Sequence, residues 1–182
     1  MPNSGCMKTL ILVADGFEEI EAFTVIDILR RSGVDVTVAG LISTVVTGAH
    51  EVRIIADKRL GELNTAEYDA LVLPGGPGHK HLLNSQAAIN LIKDFDKKKK
   101  FIAAICASPA VLAKAGVLDE RIATIFPGME SQIPKPRDEK VVIDGHVITS
   151  RSAGTAMEFA LKLSEIFSGK NTSTKVMESL YI

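Results

Sequence analysis

Two hydrophobic periods alternate along this chain and divide it into predicted strands and helices. Short apolar or alternating runs predict strands at residues 9–14, 34–39, 68–73 and 101–105. Apolar residues at helical spacing predict helices at residues 18–32, 86–98 and 153–167. This order predicts a single α/β domain with a doubly wound, mostly parallel sheet.

Two segments depart from this alternation. β-branched residues surround Gly48 within residues 44–56 and indicate a hairpin or an excursion. Residues 141–150 read VVIDGHVITS, where Asp144-Gly145 separates two β runs, which predicts a second hairpin.

Three polar or glycine-rich turns follow the predicted strands. They read DGFEEIE after the first strand, PGGPG after the third and CASP after the fourth. In a doubly wound sheet, ligands bind at the carboxyl ends of the strands. We therefore expect the three turns to meet at one site.

Cys106 ends the fourth strand, and a helix is predicted to begin within three residues. Ser108 can cap that helix, and the fixed φ of Pro109 suits its first turn. Free amides and the positive end of a helix dipole favour the nucleophilic thiolate over the thiol. The alternative is a small, buried and unreactive cysteine.

The glycines of PGGPG leave their backbone amides open to close approach. Gly75 and Gly76, together with the amide of Ala107, are therefore candidates for an oxyanion hole beside the thiol. The alternative is a simple tight turn. The segment lacks both the GxGxxG dinucleotide pattern and a following GK[ST].

Three glutamates begin the first helix. Glu18 and Glu19 are expected to be solvated charges that favour the helix dipole. Glu21 lies among apolar neighbours, where burial would raise its pKa and leave a protonated carboxyl able to donate a hydrogen bond to a thiolate. Glu21 is therefore the candidate partner of the cysteine.

Composition excludes several classes of function. The 182 residues carry a formal net charge of −1, which gives no case for a nucleic-acid partner, and no apolar run is long enough for a membrane span. Two cysteines, with no CxxC or HExxH spacing, predict neither a disulfide framework nor a metal site. We expect a cytoplasmic protein with a short disordered extension at residues 1–6 and one domain over 7–182.

At these residues the chain resembles the DJ-one/ThiJ/PfpI superfamily, in the branch of the parkinsonism-associated protein. Four motifs carry the resemblance in family order: DGFEEIEA at Glu21, LVLPGGPG at Gly75 and Gly76, AAICASPAVLAKAGVL at Cys106, and ITSRSAGTAMEFAL over residues 148–161. The resemblance extends from Met7 to about Lys170.

The resemblance implies a flavodoxin-like fold of the class I glutamine amidotransferase kind, with helices on both faces of the sheet, in a homodimer. It also implies that Cys106 is oxidisable, has a low pKa and is hydrogen-bonded to a protonated Glu21. The implied chemistry requires no cofactor. The expected activity is that of a glyoxalase or deglycase acting on methylglyoxal-type 2-oxoaldehydes or their adducts under oxidative or carbonyl stress.

Two positions depart from the family pattern. Ala107 follows the cysteine where the protease branch has histidine, which argues against a peptidase. Phe126 precedes Pro127 where several members have histidine, and phenylalanine cannot transfer a proton. Glu21 would then perform the acid–base chemistry alone or with a histidine from elsewhere; the four histidines carry no motif that ties them to Cys106. A redox-sensing, chaperone-like protein that uses oxidation of Cys106 is the alternative function.

Overall fold

The computed structural model describes residues 6–182, which form strands and helices in alternation. The strands are β1 (Lys8–Val13), β2 (Asp35–Gly40), β3 (Val45–Thr47), β4 (Arg53–Ile55), β5 (Lys58–Arg59), β6 (Ala70–Leu73), β7 (Phe101–Ile105), β8 (Val141–Asp144) and β9 (Val147–Ser150). The α-helices are α1 (Glu19–Arg31), α2 (His79–Leu83), α3 (Gln86–Lys97), α4 (Pro109–Lys114), α5 (Ala156–Ser168) and α6 (Lys170–Ser179).

Seven strands form one sheet in the order β5-β2-β1-β6-β7-β9-β8. All neighbouring pairs in it are parallel except β8 and β9, which form the predicted hairpin. The chain winds one way from β1 to β2 and the other way from β6 to β7. The crevice of the switch point therefore lies beside the carboxyl ends of β1 and β6, where such folds bind ligands.

Both faces of the sheet are covered by apolar packing. On β1, Leu10 and Leu12 face one core layer, which includes Ile92 of α3, while Ile11 and Val13 face the other. The second layer is closed by α1 and α5, whose Leu29 and Phe159 are fully buried. This two-sided burial explains why the strands read as nearly continuous apolar runs. The predicted flavodoxin-like architecture is confirmed.

The excursion around Gly48 is confirmed as a separate antiparallel pair, β3 with β4. The sequence missed β5, α2 and α6, which are short or polar. Ile20 and Phe23, two of the apolar residues whose spacing predicts the first helix, are 57% and 39% exposed.

Cys6, the last residue of the predicted extension, is exposed, and residues 1–5 lie outside the described residues. Within residues 6–182, none of the helices has the length and apolar character needed to cross a membrane.

Candidate active site

Cys106 lies at a strained junction between β7 and α4. Its φ is +64°, in the left-handed region that a residue with a Cβ rarely adopts. Its backbone N–H donates to the Ser150 carbonyl at 2.9 Å, and its carbonyl accepts the Phe126 N–H at 2.8 Å. Hydrogen bonds to two other segments therefore hold the strained conformation from both sides.

Ser108 does not cap the following helix as the sequence predicted. Its buried hydroxyl instead donates to the Pro74 carbonyl at 2.6 Å and ties the cysteine turn to the glycine turn after β6. Because α4 has only six residues, individual amides, rather than a long helix dipole, provide the local positive charge at the thiol.

Glu21 lies in the first turn of α1 and is completely buried. Glu18 is the N-cap residue of this helix, and its Oε2 accepts the Glu21 N–H at 2.9 Å. The Glu18 N–H in turn donates to the Gly75 carbonyl at 3.1 Å. Glu18 is therefore a capping group that joins α1 to the glycine turn rather than a freely solvated charge.

The two carboxyl oxygens of Glu21 have different surroundings. Oε2 accepts the Gly75 N–H at 2.7 Å, while Oε1 is buried without a conventional hydrogen-bond partner among residues 6–182. Burial raises the pKa of Glu21 to about 7, although the Gly75 hydrogen bond and the nearby Cys106 thiol act to lower it. Since an amide can only donate, Oε1 is the oxygen left to carry the proton.

Gly75 and Gly76 have different functions in this arrangement. The Gly75 amide is committed to Glu21, so the structure contradicts its predicted place in an oxyanion hole. The amides of Gly76 and Ala107 hydrogen-bond to the Cys106 sulfur, where they lower the pKa of the thiol. Two of the three predicted amides therefore meet at the thiol.

A glycine is required at position 75 by space rather than by φ. A Cβ there would lie 2.6 Å from the Cβ of Cys106 and 2.7 Å from Glu21 Oε2. The absence of a side chain at Gly75 is therefore what allows the carboxyl and the cysteine to approach each other.

The Cys106 thiol does not have the lowered pKa that the sequence predicted. Burial and the neighbouring charge of Glu21 raise the pKa of this thiol to about 12, and the Gly76 and Ala107 amides only partly oppose them. Taken together, the pair loses its first proton near pH 7 and its last near pH 12. Between these values, Cys106 and Glu21 share one proton.

The four histidines are all described, and none has a hydrogen bond to Cys106. His79 Nδ1 lies 2.8 Å from the Gly76 carbonyl, and His146 Nε2 lies 2.8 Å from Asp96. Phe126 contributes only its amide to the cysteine, and its side chain is exposed. Glu21 is therefore the titratable side chain placed against the thiol.

Glu19 is buried, in contrast to its predicted solvation, and forms a cluster with Glu18 and His50. One ligand atom from each of the three lies within 4.8 Å of the others, a grouping that no sequence spacing indicated. Glu19 already accepts the His50 N–H at 2.7 Å and lies 2.9 Å from its Nδ1. We assign this cluster to anchoring the β3–β4 excursion on α1.

The sequence singled out neither the Ser150 carbonyl nor the Pro74 carbonyl. Both are main-chain acceptors, so no side-chain chemistry marked them. The only signal was positional: Ser150 ends β9 within the ITSRSAGT segment, beside the end of β7 in the sheet. The carboxyl ends of β1, β6, β7 and β9 thus all contribute to the site.

Comparison with proteins of known sequence places this arrangement among characterised relatives. Protein dj-1beta of Drosophila melanogaster is 38% identical over 96% of this chain and 97% of its own length. The glutathione-independent glyoxalase DJR-1.2 of Caenorhabditis elegans is 35% identical, covering 94% of each chain. Deglycase PYRAB04690 of Pyrococcus abyssi is 36% identical over 81% of this chain and 92% of its own.

Solved structures agree with the sequence comparison. The crystal structure of Drosophila melanogaster DJ-1beta superposes with a TM-score of 0.94 at 38% identity, covering 98% of this chain and 99% of that one. Oxidised Toxoplasma gondii DJ-1 gives a TM-score of 0.93 at 36% identity, covering 97% and 98%. The model of the DJ-1/PfpI family matches residues 7–166, which include the site at the switch point of the sheet. The chain therefore belongs to the DJ-1/PfpI family.

Proposed function

We propose that this protein is a cysteine-dependent glyoxalase and deglycase that acts on 2-oxoaldehydes such as methylglyoxal and on their adducts with amines. One observation carries the proposal: beside the Cys106 thiol lies a buried Glu21 whose pKa is raised to about 7 and whose Oε1 has no hydrogen-bond partner among residues 6–182. A carboxyl with that pKa can give and take a proton at neutral pH. The names of the nematode glyoxalase and the archaeal deglycase support the same chemistry.

In the proposed active form, the one proton shared by the pair resides on Glu21 Oε1 and Cys106 is a thiolate. The sulfur forms a bond to the aldehyde carbon, and the carbonyl electron pair becomes an alkoxide. The amides of Gly76 and Ala107 stabilise that oxygen, which takes the proton from Oε1. With an amine adduct as substrate, the carbon–nitrogen bond breaks instead and the same proton leaves with the amine.

The hemithioacetal then rearranges to a thioester. The Glu21 carboxylate removes the proton from the sulfur-bearing carbon and returns it to the neighbouring carbon, through an enediol. Water cleaves the thioester, which gives the 2-hydroxy acid and restores the thiolate. The sum is one 2-oxoaldehyde plus one water to one 2-hydroxy acid, with no net oxidation, so the scheme calls for no cofactor.

Conversion of methylglyoxal to lactate by the purified protein, compared with Cys106→Ala, tests the proposal. Lactate is measured directly, because loss of methylglyoxal alone also follows from its adding to surface lysines and arginines. Glyoxalase turnover that vanishes in Cys106→Ala is the expected result. Equal lactate formation by the two proteins would overturn the assignment.

The same amides favour a second candidate function, that of a redox-sensing protein with chaperone-like protection. Oxidation of Cys106 to the sulfinate would place oxygens where the Gly76 and Ala107 amides already donate. Cys6 and Cys106 are both free, which suits the reducing cytoplasm proposed as the location. A peroxide-dependent mass increase of two oxygens at Cys106, in protein without lactate-forming activity, would favour this function.

The family resemblance further supports a homodimer. Ile20 and Phe23 expose their apolar side chains on α1, away from the core, as expected of a surface covered by a second copy. Because α1 also carries Glu21, a copy bound there would lie near the candidate site. Sedimentation at micromolar concentration should give twice the chain mass of 19.5 kDa.

A further inference from the structure

A cavity of about 390 Å³ is lined by residues that flank Phe126 in the chain and by the residue that follows Ser150. Its lining consists of Thr124, Ile125, Pro127, Glu130, Pro136, Arg137, Asp138 and Arg151. Two of its walls are the segments that hold the cysteine, since Phe126 donates to the Cys106 carbonyl and Ser150, which precedes Arg151, accepts its N–H. The cavity is therefore one residue removed from the main-chain contacts of the candidate nucleophile.

Two guanidinium groups give this cavity its chemistry. Arg151 forms an ion pair with Asp138 at 2.8 Å, and the Asp138 side chain is 88% exposed. Among residues 6–182, the guanidinium of Arg137 donates only to the neighbouring Pro136 carbonyl, at 3.2 Å. The other acid, Glu130, already accepts the Gly128 N–H at 3.0 Å. Each guanidinium has five N–H donors, so both retain donors for a further ligand.

We propose that this cavity binds a carboxylate carried by the substrate, and that the natural substrates therefore include methylglyoxal adducts of amino acids or of peptide C-termini. The inference rests on the proposed function, because it assigns the non-reacting part of that substrate. The guanidinium fork matches a carboxylate with two parallel hydrogen bonds.

Asp138 supports this choice of ligand. Its carboxylate already lies against Arg151, so the site is shaped for the group that the substrate would bring. Because the Asp138 side chain is 88% exposed while Arg151 directly follows β9 and is only 36% exposed, water can replace Asp138 and a substrate carboxylate can exchange with it. Asp138 is then a competitor whose removal should strengthen substrate binding.

Two substrates that differ by one charge test the proposal: the methylglyoxal adducts of N-acetylarginine and of N-acetylargininamide. With the wild-type protein we expect kcat/KM for the acid to exceed that for the amide about tenfold, as one charge-assisted pair allows, and mainly through KM. Arg151→Gln and Arg137→Gln should each bring the ratio toward one. Asp138→Asn should raise it, whereas Arg59→Gln, on the far edge strand, should leave it unchanged.

The outcomes separate this proposal from the function on which it rests. Turnover of both adducts at equal kcat/KM, unaffected by either arginine variant, would overturn the carboxylate site and leave the enzyme assignment intact. If the wild type turns over neither adduct, the deglycase part of the proposed function fails while the lactate assay still tests the glyoxalase part, and calorimetry of N-acetylarginine binding to Cys106→Ala then decides the site. If N-acetylarginine binds and either Arg151→Gln or Arg137→Gln weakens its binding, the carboxylate site is supported. If N-acetylarginine does not bind, the site is rejected.

Discussion

Glu21 accepts the amide hydrogen of Gly75 on one carboxyl oxygen, while its other carboxyl oxygen is buried without a hydrogen-bond partner among residues 6–182. In a protonated carboxyl only the carbonyl oxygen needs a hydrogen-bond donor, because the other oxygen carries the proton. This agrees with the pKa of about 7 that burial gives Glu21. The geometry thus distinguishes the accepting oxygen from the proton-bearing one before any substrate is present.

The raised pKa of Glu21 predicts that folding stability falls as pH rises from about 4.5 to 7. In this window the native protein holds a proton that the unfolded chain has released, so the slope of the unfolding free energy with pH is negative. The shift from 4.5 to about 7 corresponds to roughly 3 kcal/mol at most. Urea unfolding between pH 4.5 and 7.5 measures the slope, which Glu21→Gln should flatten. An equal slope in that variant would contradict the prediction.

Glu21→Gln should lower lactate formation by about 100-fold or more, because the amide keeps a donor but cannot transfer a proton. Glu18→Gln is the matched control: its side-chain oxygen can still cap α1, so the loss should be much smaller. The charge of Glu18 helps to raise the pKa of Glu21, so this variant should shift the pH profile toward lower pH. Comparable losses in the two variants would mean that the wrong carboxylate has been assigned.

Cys106 should become reactive with a midpoint near pH 7, where the pair loses its first proton. The proposed thiolate form predicts this midpoint because it keeps the remaining proton on Glu21. Iodoacetamide labelling across pH in a Cys6→Ser background, read by mass spectrometry, measures the midpoint. A midpoint at or above the free-thiol value of about 8.5 would place the proton on sulfur and refute the thiolate form.

Gly75→Ala should abolish turnover and destabilise the protein by about 1–3 kcal/mol, the usual effect of overpacking. The added methyl would meet the Cys106 and Glu21 side chains at 2.6 and 2.7 Å and force them apart. Gly61→Ala provides the control, because a Cβ there meets nothing within 4 Å. Thermal unfolding and lactate formation should both be near wild type in the control, and a fully active Gly75→Ala would show that close approach is unnecessary.

Peptide hydrolysis should be undetectable in the wild type, since neither Ala107 nor Phe126 supplies a general base. Phe126→His would place an imidazole on the residue whose amide already binds the Cys106 carbonyl, and should raise carbonyl turnover tenfold or more. Casein or peptide cleavage that survives Phe126→Ala but is lost in Cys106→Ala would reveal a histidine acting from elsewhere.

Periodicity predicted the long elements because their sequence and their burial agree. The β7 strand has the predicted bounds, and the predicted end of α3 differs by one residue. The polar helix α6 was missed because its stability comes from packing on α5, which has no local signature. Ile20 and Phe23 belong to the apolar pattern of α1 but are exposed, because periodicity identifies an apolar position and not the surface that covers it.

The composition of the site was predictable, but the direction of its hydrogen bonds was not. Motif order brought Glu21, the glycine turn and Cys106 to one end of the sheet. Which partner each amide or hydroxyl chooses depends on distances of a few tenths of an ångström, as for Gly75 and Ser108. The raised pKa of the Cys106 thiol was not predicted either, because sequence shows charge and helix ends but not the depth of burial.

The left-handed backbone of Cys106 costs conformational free energy that the rest of the molecule must offset. A residue with a Cβ held at positive φ costs about 1–2 kcal/mol. That cost is offset by the hydrogen bonds that Cys106 donates to the Ser150 carbonyl and accepts from the Phe126 N–H, both on distant parts of the chain. The backbone conformation that positions the reactive sulfur therefore lowers the stability of the turn. A glycine at position 106 would relieve this strain but remove the thiol, so selection for stability and selection for the chemistry oppose each other at this residue.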